Sequence, residues 1–285
     1  TETVYGLAGN AYSKESIKKI YKLKKRPKIN PLIVHFLNYK NAKNDIILND
    51  DFFKLYKKFC PGPITFILNK KKESRIQPIV SANLKTIAVR FPSHPIIQST
   101  LKKLNFPLAM PSANISTNVS PVRAEDVADE FKNNIKFILD GGRSKIGIES
   151  TVIDLTGKPS ILRPGIIEAK IIEKILKKKI NNKKKNYKII SPGMLKKHYS
   201  PGIPIFLNKK RANISNAFIT LGKKYKNNKN HFNLSKKSDL KEAASNLYKT
   251  LRKIKKLKFK KIYVVKIPNT GPGIAINDRL KRAAQ

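Results

Sequence analysis

"TIAVRFPSHPIIQSTLKKL" (residues 86–104) holds one full alternation of this chain. Thr86 to Phe91 is rich in β-branched and apolar residues and reads as a strand. Pro92 and Pro95 interrupt it, and residues 94–104 then read as a helix. The pattern repeats upstream. Ser13 to Lys25 reads as a helix, with Ser13 as its cap and Ile17, Ile20, Tyr21 and Lys24 on one face. "PLIVHF" (31–36) is a short buried strand, "DDFFKLYKKFC" (50–60) an amphipathic helix stopped by "PGP", and "TFILN" (65–69) another strand. Downstream, "IKFILD" (135–140), "STVIDL" (150–155) and "SILRP" (160–164) read as strands. Residues 122–132 read as a helix with Ser120 as N-cap and Pro121 at its first position. Strands interleaved with helices define an α/β domain.

The character changes at residues 168–186, where an apolar-faced helix decays into a Lys/Asn tract. The expected division is a first domain at 1–180, a linker at 181–202 and a smaller α/β domain at 203–285. The smaller unit should contain the strands "IPIFL" and "NAFITLG", a long helix from Ser238 to Leu257 and a strand at 262–267. No internal repeat is present.

A chain of 285 residues with 40% hydrophobic content suits two folded domains. The mean hydropathy is −0.41, and no apolar run approaches the roughly 20 residues of a membrane span. No secretory pattern opens the sequence, so the expected location is cytoplasmic, with no membrane partner. The single cysteine, Cys60, excludes an internal disulfide and a multi-cysteine zinc site. The formal charge of +43 comes from 51 Lys and only 10 Arg. Most of that excess reads as compositional drift of an AT-rich kind, and the alternative is a nucleic-acid surface. The ten arginines carry more information, because their planar fork recognises carboxylate and phosphate bidentately.

Polar clusters fall on loops at element ends: Thr1-Glu2-Thr3, Lys24 and Arg26, Thr86 and Arg90 (four apart, hence on one strand face), Ser112 and Asn114, Ser120, Glu149 and Ser150, and Arg163. Singly, each has an ordinary explanation as a turn, a helix-dipole partner or an edge residue. Together, three arginines (26, 90 and 163) with hydroxyls nearby suggest a pocket for a phosphate and a small molecule. No GxxxxGK[ST], GxGxxG or GxSxG motif occurs, and the four histidines lack metal-ligand spacing. No covalent nucleophile is indicated.

Eight motifs in order carry a resemblance: "TETVYGL", "KKRPKINPLIVH", "PGPITFIL", "TIAVRFPSHP", "PSANISTNVSP", "DGG", "GIESTVIDL" and "ILRPG". They resemble the YrdC-like family, and "SPGMLKKHYSPG" (191–202) with "GPGIAINDRLKRAA" is similar to its longer, two-domain members, the threonylcarbamoyl-AMP synthases. The resemblance implies a twisted mixed α/β sheet, a smaller Rossmann-like tail domain and a lid-like linker. It implies that L-threonine, bicarbonate or CO2 and ATP condense to L-threonylcarbamoyladenylate and pyrophosphate. The product would pass to the tRNA threonylcarbamoyl transferase machinery. By the same resemblance Arg26, Asn30, Thr86, Ser112, Asn114, Ser120, Arg163 and Tyr199 hold ATP. Thr3, His35, Arg90, Met110 and Ser150 hold threonine, Lys24 and Arg26 offset phosphate charge, and Mg²⁺ accompanies ATP with no dedicated metal site. Glu2 and Glu149 are further candidates to assist a metal or a deprotonation.

Family members usually read Pro-Thr-Glu-Thr and carry a strand and a helix ahead of it, which this sequence lacks. Met110 stands where Ala is common, and Ala8-Gly9 where Gly-Ala or Gly-Cys is usual. Other readings are a YrdC-like module that holds tRNA or double-stranded RNA, an inactive truncated copy, and an enzyme with another acceptor like the hydrogenase-maturation carbamoyltransferases. The last is disfavoured by the single cysteine and the "HYSPG" linker.

Overall fold

The computed structural model describes residues 1–180, 198–225 and 228–285. Two sheets organise them. The larger has seven strands: β1 (Gly9–Asn10), β2 (Ile33–His35), β3 (Ile64–Asn69), β4 (Thr86–Arg90), β5 (Leu108–Ala109), β6 (Thr151–Asp154) and β7 (Ser160–Arg163). Their spatial order is β1-β5-β2-β4-β3-β6-β7. It is mixed: β2 runs parallel to β4 and β3 parallel to β6, while β3–β4 and β6–β7 are antiparallel. The smaller sheet is parallel, in the order β10-β9-β11-β8, with β8 (Ile205–Phe206), β9 (Ala217–Thr220), β10 (His231–Asn233) and β11 (Ile262–Val264).

Helices cover the sheets: α1 (Lys14–Lys24), α2 (Tyr39–Ala42), α3 (Asp50–Phe59), α4 (Pro95–Lys103), α5 (Ala124–Phe131), α6 (Ala169–Leu176), α7 (Leu240–Lys256) and α8 (Pro272–Ala283). Ser13 caps α1 as its position predicts, its hydroxyl accepting from the Ser16 amide at 3.2 Å. The apolar stripe of α1 then buries Ile17, Ile20 and Tyr21, and the helix stops at Lys25 in a left-handed conformation. Ile172 and Leu176 of α6 pack with Phe52 and Leu55 of α3 in the core of the larger sheet.

Two expectations need correction. Residues 135–140 form no strand. Among the described residues no strand runs beside them to complete a ladder, and Phe137 and Leu139 stand 86% and 61% exposed. Ser120 does not cap α5 either. That helix begins after Arg123, and Asp126 reaches back to accept from the Arg123 and Val122 amides at 3.1 and 3.0 Å. The Ser120 hydroxyl donates instead to Glu149 at 2.6 Å. Most of the expected linker, residues 181–197, lies outside the described residues.

The core of the smaller sheet extends onto the first unit, apart from the larger sheet's own core. Val4, Val119, Val122 and Ile148 from the first unit pack into the same cluster as Leu247, Tyr248 and Leu251 of α7 and Ile276 of α8. Polar contacts frame that seam. An Arg143 amino group donates to the Ser245 carbonyl at 2.9 Å and to Asn246 at 2.7 Å. Arg252 donates to the Val119 carbonyl at 2.6 Å and pairs with Glu130 at 3.2 Å. Gly147 lets the chain pass here. It has φ +73°, and a Cβ at this position would lie 2.5 Å from the Ser245 carbonyl oxygen.

Replacing Gly147 with Ala combines a left-handed backbone with a collision against α7. Unfolding in urea should show a loss of about 2 kcal/mol or more, whereas Gly157→Ala, which meets no atom within 4 Å, should change little.

Candidate active site

The candidate side chains gather at one end of the larger sheet because of strand direction. β2 and β4 are parallel and finish side by side, so His35 and Arg90 are register partners at their C-terminal ends. β3 starts at the same edge, where Thr65 lies opposite Arg90. Ser150 immediately precedes β6, and Arg163 closes β7 opposite Val152. Carboxyl ends of parallel strands are where α/β sheets leave room for ligands.

Between these groups lies a small cavity of about 40 Å³. It is lined by Thr3, Arg26, His35, Arg90, Met110 and Ser112, and also by Glu149, Arg163, His198 and Tyr199. The opening turn supplies the wall beside Arg90: one amino group donates to Glu2 at 2.5 Å and the other to the Thr3 hydroxyl at 2.8 Å. Arg90 is 4% exposed, and its Nε has no hydrogen-bond partner. Burial would raise the Glu2 carboxyl, but the Arg90 guanidinium outweighs it and holds the carboxyl below its ordinary range. Burial, reinforced by Arg90, pushes the His35 imidazole well below its ordinary pKa, so it stands neutral.

Arg26 is fixed by its own loop. Its Nε and one amino group donate to the Asn30 carbonyl at 2.9 Å, the Asn30 side-chain oxygen at 2.6 Å and the Pro31 carbonyl at 2.7 Å. Burial takes Arg26 down to about 10, which leaves it charged at neutral pH. Arg163 donates from Nε to the Ser150 carbonyl and from an amino group to the Ser150 hydroxyl, each at 3.1 Å. That hydroxyl also meets Thr65 at 2.7 Å. Asn30 and Ser150 therefore orient arginines that face the cavity.

Lys24 has a different position from the one its motif suggests. Its ammonium does not line the cavity. It donates to the Ser112 carbonyl at 2.5 Å and to the Asn114 carbonyl, stapling the "SAN" loop to the end of α1. Asn114 continues the staple, donating to the Ile115 and Asn118 carbonyls at 2.7 and 2.9 Å. Thr86 stands apart at the start of β4, four residues from Arg90 and so about 13 Å away along the strand. Ser120 also lies behind the wall, on Glu149.

Tyr199 enters from the chain that follows residue 197. It adopts φ +64°, an uncommon conformation for a bulky residue. The Ser200 amide anchors it by donating to the Thr117 carbonyl at 2.8 Å. Tyr199 is 1% exposed, stacks at 5.8 Å on Tyr248 of α7 and lies 5.4 Å from the Arg279 guanidinium of α8. Its hydroxyl and His198 Nδ1 are buried with no hydrogen-bond partner among the described residues. Buried polar atoms of this kind need an explanation, and a ligand or water is the usual one. A wider cleft of about 290 Å³ shares Met110 but is lined mainly by apolar groups such as Ile97, Val127 and Ile138. It lacks the convergent charges of the smaller cavity.

Sequence reasoning did not single out Arg279, Tyr248 or His198. Arg279 is fully buried and pairs with Glu149 at 3.1 Å. Tyr248 donates to the same carboxylate at 2.9 Å. The scarcity of arginine was a signal for Arg279, and the "HYSPG" motif for His198. No signal marked Tyr248, which looks like one more apolar position of α7. Among the described residues no group of three or more His, Cys, Asp or Glu could hold a metal. Glu2 and Glu149 are already engaged by arginines, so a resident metal does not fit. No helix among the described residues is long and apolar enough to cross a membrane.

A mixed sheet with a pocket of buried arginines, joined to a parallel tail sheet, makes this an α/β protein of two sheets with a candidate anion-binding pocket. The Sua5/YciO/YrdC family model, described as "Telomere recombination", matches residues 1–165, and the "Threonylcarbamoyl-AMP synthase, C-terminal domain" model matches residues 167–285. The chain belongs to this family. It is 34% identical to the threonylcarbamoyl-AMP synthase of Bacillus subtilis and likewise to that of Pyrococcus abyssi, over all of this chain and 88% of each relative. The structure of P. abyssi Sua5 complexed with L-threonine superposes with a TM-score of 0.89 at 32% identity, covering all of this chain and 88% of that one.

Burial holds His198 near pKa 3, against an ordinary 6.5. The unfolded chain therefore takes up the proton first. The contribution to stability is complete above pH 6.5 and declines as the pH falls towards 3, by about 1.4 kcal/mol per unit for one histidine. His35 acts in the same direction. Urea unfolding between pH 7 and 4 should show this decline, and His198→Asn should flatten it by one histidine's share.

Proposed function

We propose that this chain is an L-threonylcarbamoyladenylate synthase, a nucleotidyltransferase that serves tRNA modification. The observation that carries this reading is the buried Arg90, held by Glu2 and Thr3 with its Nε unpartnered, beside a cavity that also holds Arg26 and Arg163. One arginine suits an amino acid's carboxylate, and the other two suit phosphates. The full-length likeness to named threonylcarbamoyl-AMP synthases supports it.

In this reading threonine places its carboxylate on Arg90, with Thr3, His35, Met110 and Ser150 around it. Its amine adds to CO2 and gives up a proton, or displaces water from bicarbonate, to give N-carboxythreonine. The new carboxylate attacks the α-phosphorus of ATP. The bond from that phosphorus to the bridging oxygen breaks, and pyrophosphate leaves. Arg26 and Arg163 offset the phosphate charge, a task of alignment and electrostatics that needs no nucleophilic side chain. Mg²⁺ enters as part of the nucleotide substrate. Asn30 aligns Arg26, Lys24 and Asn114 shape the loop that presents Ser112, and Ser120 acts through Glu149. Thr86, a nucleotide candidate by its motif, is too far along β4 to join without rearrangement.

A space of 40 Å³ admits water but not a nucleotide. Tyr199 fills that region between the arginines, so the turn at 198–200 swings out to admit ATP and returns over it. Closure excludes water from a labile acyl phosphate. The product then passes to a tRNA threonylcarbamoyl transferase, and the protein's own excess of lysine is available for contact with tRNA.

Pyrophosphate release from ATP and bicarbonate should depend on L-threonine, and release indifferent to threonine would refute the assignment. Arg90→Ala should raise the KM for threonine at least tenfold, by the loss of a charged hydrogen-bonding group. Lys209→Ala, in the tail domain, should leave it within twofold.

A further inference from the structure

Glu149 is the point where the tail domain reaches the pocket. It lines the cavity. One carboxylate oxygen accepts from the Ser120 hydroxyl at 2.6 Å. The other accepts from the Tyr248 hydroxyl at 2.9 Å and from Arg279 Nε at 3.1 Å. Tyr248 lies on α7 and Arg279 on α8, so both donors come from the tail.

The same guanidinium grips a second place. Arg279 Nη1 donates to the Pro164 carbonyl at 2.5 Å. Pro164 follows Arg163, and Glu149 precedes Ser150, whose carbonyl and hydroxyl hold Arg163. Arg279 thus ties together the entry to β6 and the exit from β7, the two backbone points that aim Arg163 into the cavity. Its neighbour Tyr248 also carries the stacked ring of Tyr199.

A fully buried guanidinium is a poor device for stability alone. Its desolvation consumes most of what the ion pair returns, and apolar residues often serve as well. Such a group is better explained by the geometry it fixes. Burial would raise the Glu149 carboxyl, but Arg279 and then Arg163 outweigh it, so Glu149 stays ionised as an acceptor.

We propose that the tail domain sets the nucleotide half of the pocket through Glu149, with Arg279 and Tyr248 as positioning residues for Arg163 and Tyr199. The proposal rests on the reading of Arg163 as a phosphate group's partner. It concerns ATP, and threonine's anchor, Arg90 with Glu2 and Thr3, makes its hydrogen bonds apart from Arg279 and Tyr248.

The test is calorimetric titration of ATP and of L-threonine, separately, into the full chain and into Tyr248→Phe, Arg279→Lys and Arg143→Lys. Tyr248→Phe removes one oxygen and keeps the packed ring, so it folds even if Arg279→Lys does not. Arg143→Lys perturbs the same domain seam away from Glu149. Expected is a weakening of ATP binding by about tenfold in Tyr248→Phe and Arg279→Lys, the scale of one hydrogen bond to a charged group. Threonine binding should stay within twofold, and Arg143→Lys should move neither. Adding Tyr248→Phe to Glu149→Gln should weaken ATP binding no further than Glu149→Gln alone. A purely structural role would lower the urea midpoint and leave ATP affinity intact, and that outcome overturns the proposal. So does an equal fall in both affinities. A wild-type chain that binds no ATP overturns both this inference and the proposed function. ATP binding that weakens as expected, without threonine-dependent pyrophosphate release, upholds the inference and removes the function.

Discussion

The site is governed by the burial of guanidinium groups. Arg26, Arg90 and Arg163 are buried around the cavity, and Arg279 is buried behind it on Glu149. A buried charge survives only with partners. Asn30 and Pro31 serve Arg26, Glu2 and Thr3 serve Arg90, Ser150 serves Arg163, and Glu149 with Pro164 serves Arg279. The carboxylates facing the four are Glu2, Glu149 and Asp278, the last shared with Arg282. Among the described residues the arrangement stays positive after pairing, which suits an anionic ligand.

This constraint explains why loops that look unrelated in sequence are tied to one another. The turn at Thr1–Thr3 is fixed because Arg90 requires acceptors. The Asn30 loop is fixed because Arg26 folds back on it. Lys24 fixes the "SAN" loop in the same manner from a different side, with carbonyls in place of carboxylates. Burial pushes the Lys24 amine well below its ordinary pKa, whereas the backbone carbonyls of Asn30 and Pro31 hold Arg26 without cancelling its charge, which suits a phosphate.

Much of this was legible in sequence, for physical reasons that differ by element. The strands at 33–35, 64–69 and 86–90 are apolar runs between turn residues, and α1, α3 and α7 have both stripe and cap. Arg26, Arg90 and Arg163 stood out because arginine is scarce in this chain. "IKFILD" failed because alternation reports a tendency to pair, while a strand also needs a neighbour. Ser120-Pro121 has the chemistry of a helix start, but the Glu149 carboxylate is a stronger claim on the hydroxyl. Thr86 and Arg90 share a strand face, yet a face runs the length of a strand and a pocket occupies one end. The Glu149–Tyr248–Arg279 cluster joins residues about 100 to 130 apart in the chain, and no local pattern announces contacts of that range.

The packing of the tail's core against the first unit has a consequence for modularity. Val4, Val119, Val122 and Ile148 of the first unit are buried in the same cluster as the tail's apolar residues. Cutting the chain between the units would remove that cover from four aliphatic side chains. A tail transplanted from another protein would have to fit those same four shapes. The larger sheet and its tail therefore inherit changes as one body, and a substitution on α7 or α8 is at the same time a substitution behind the active site.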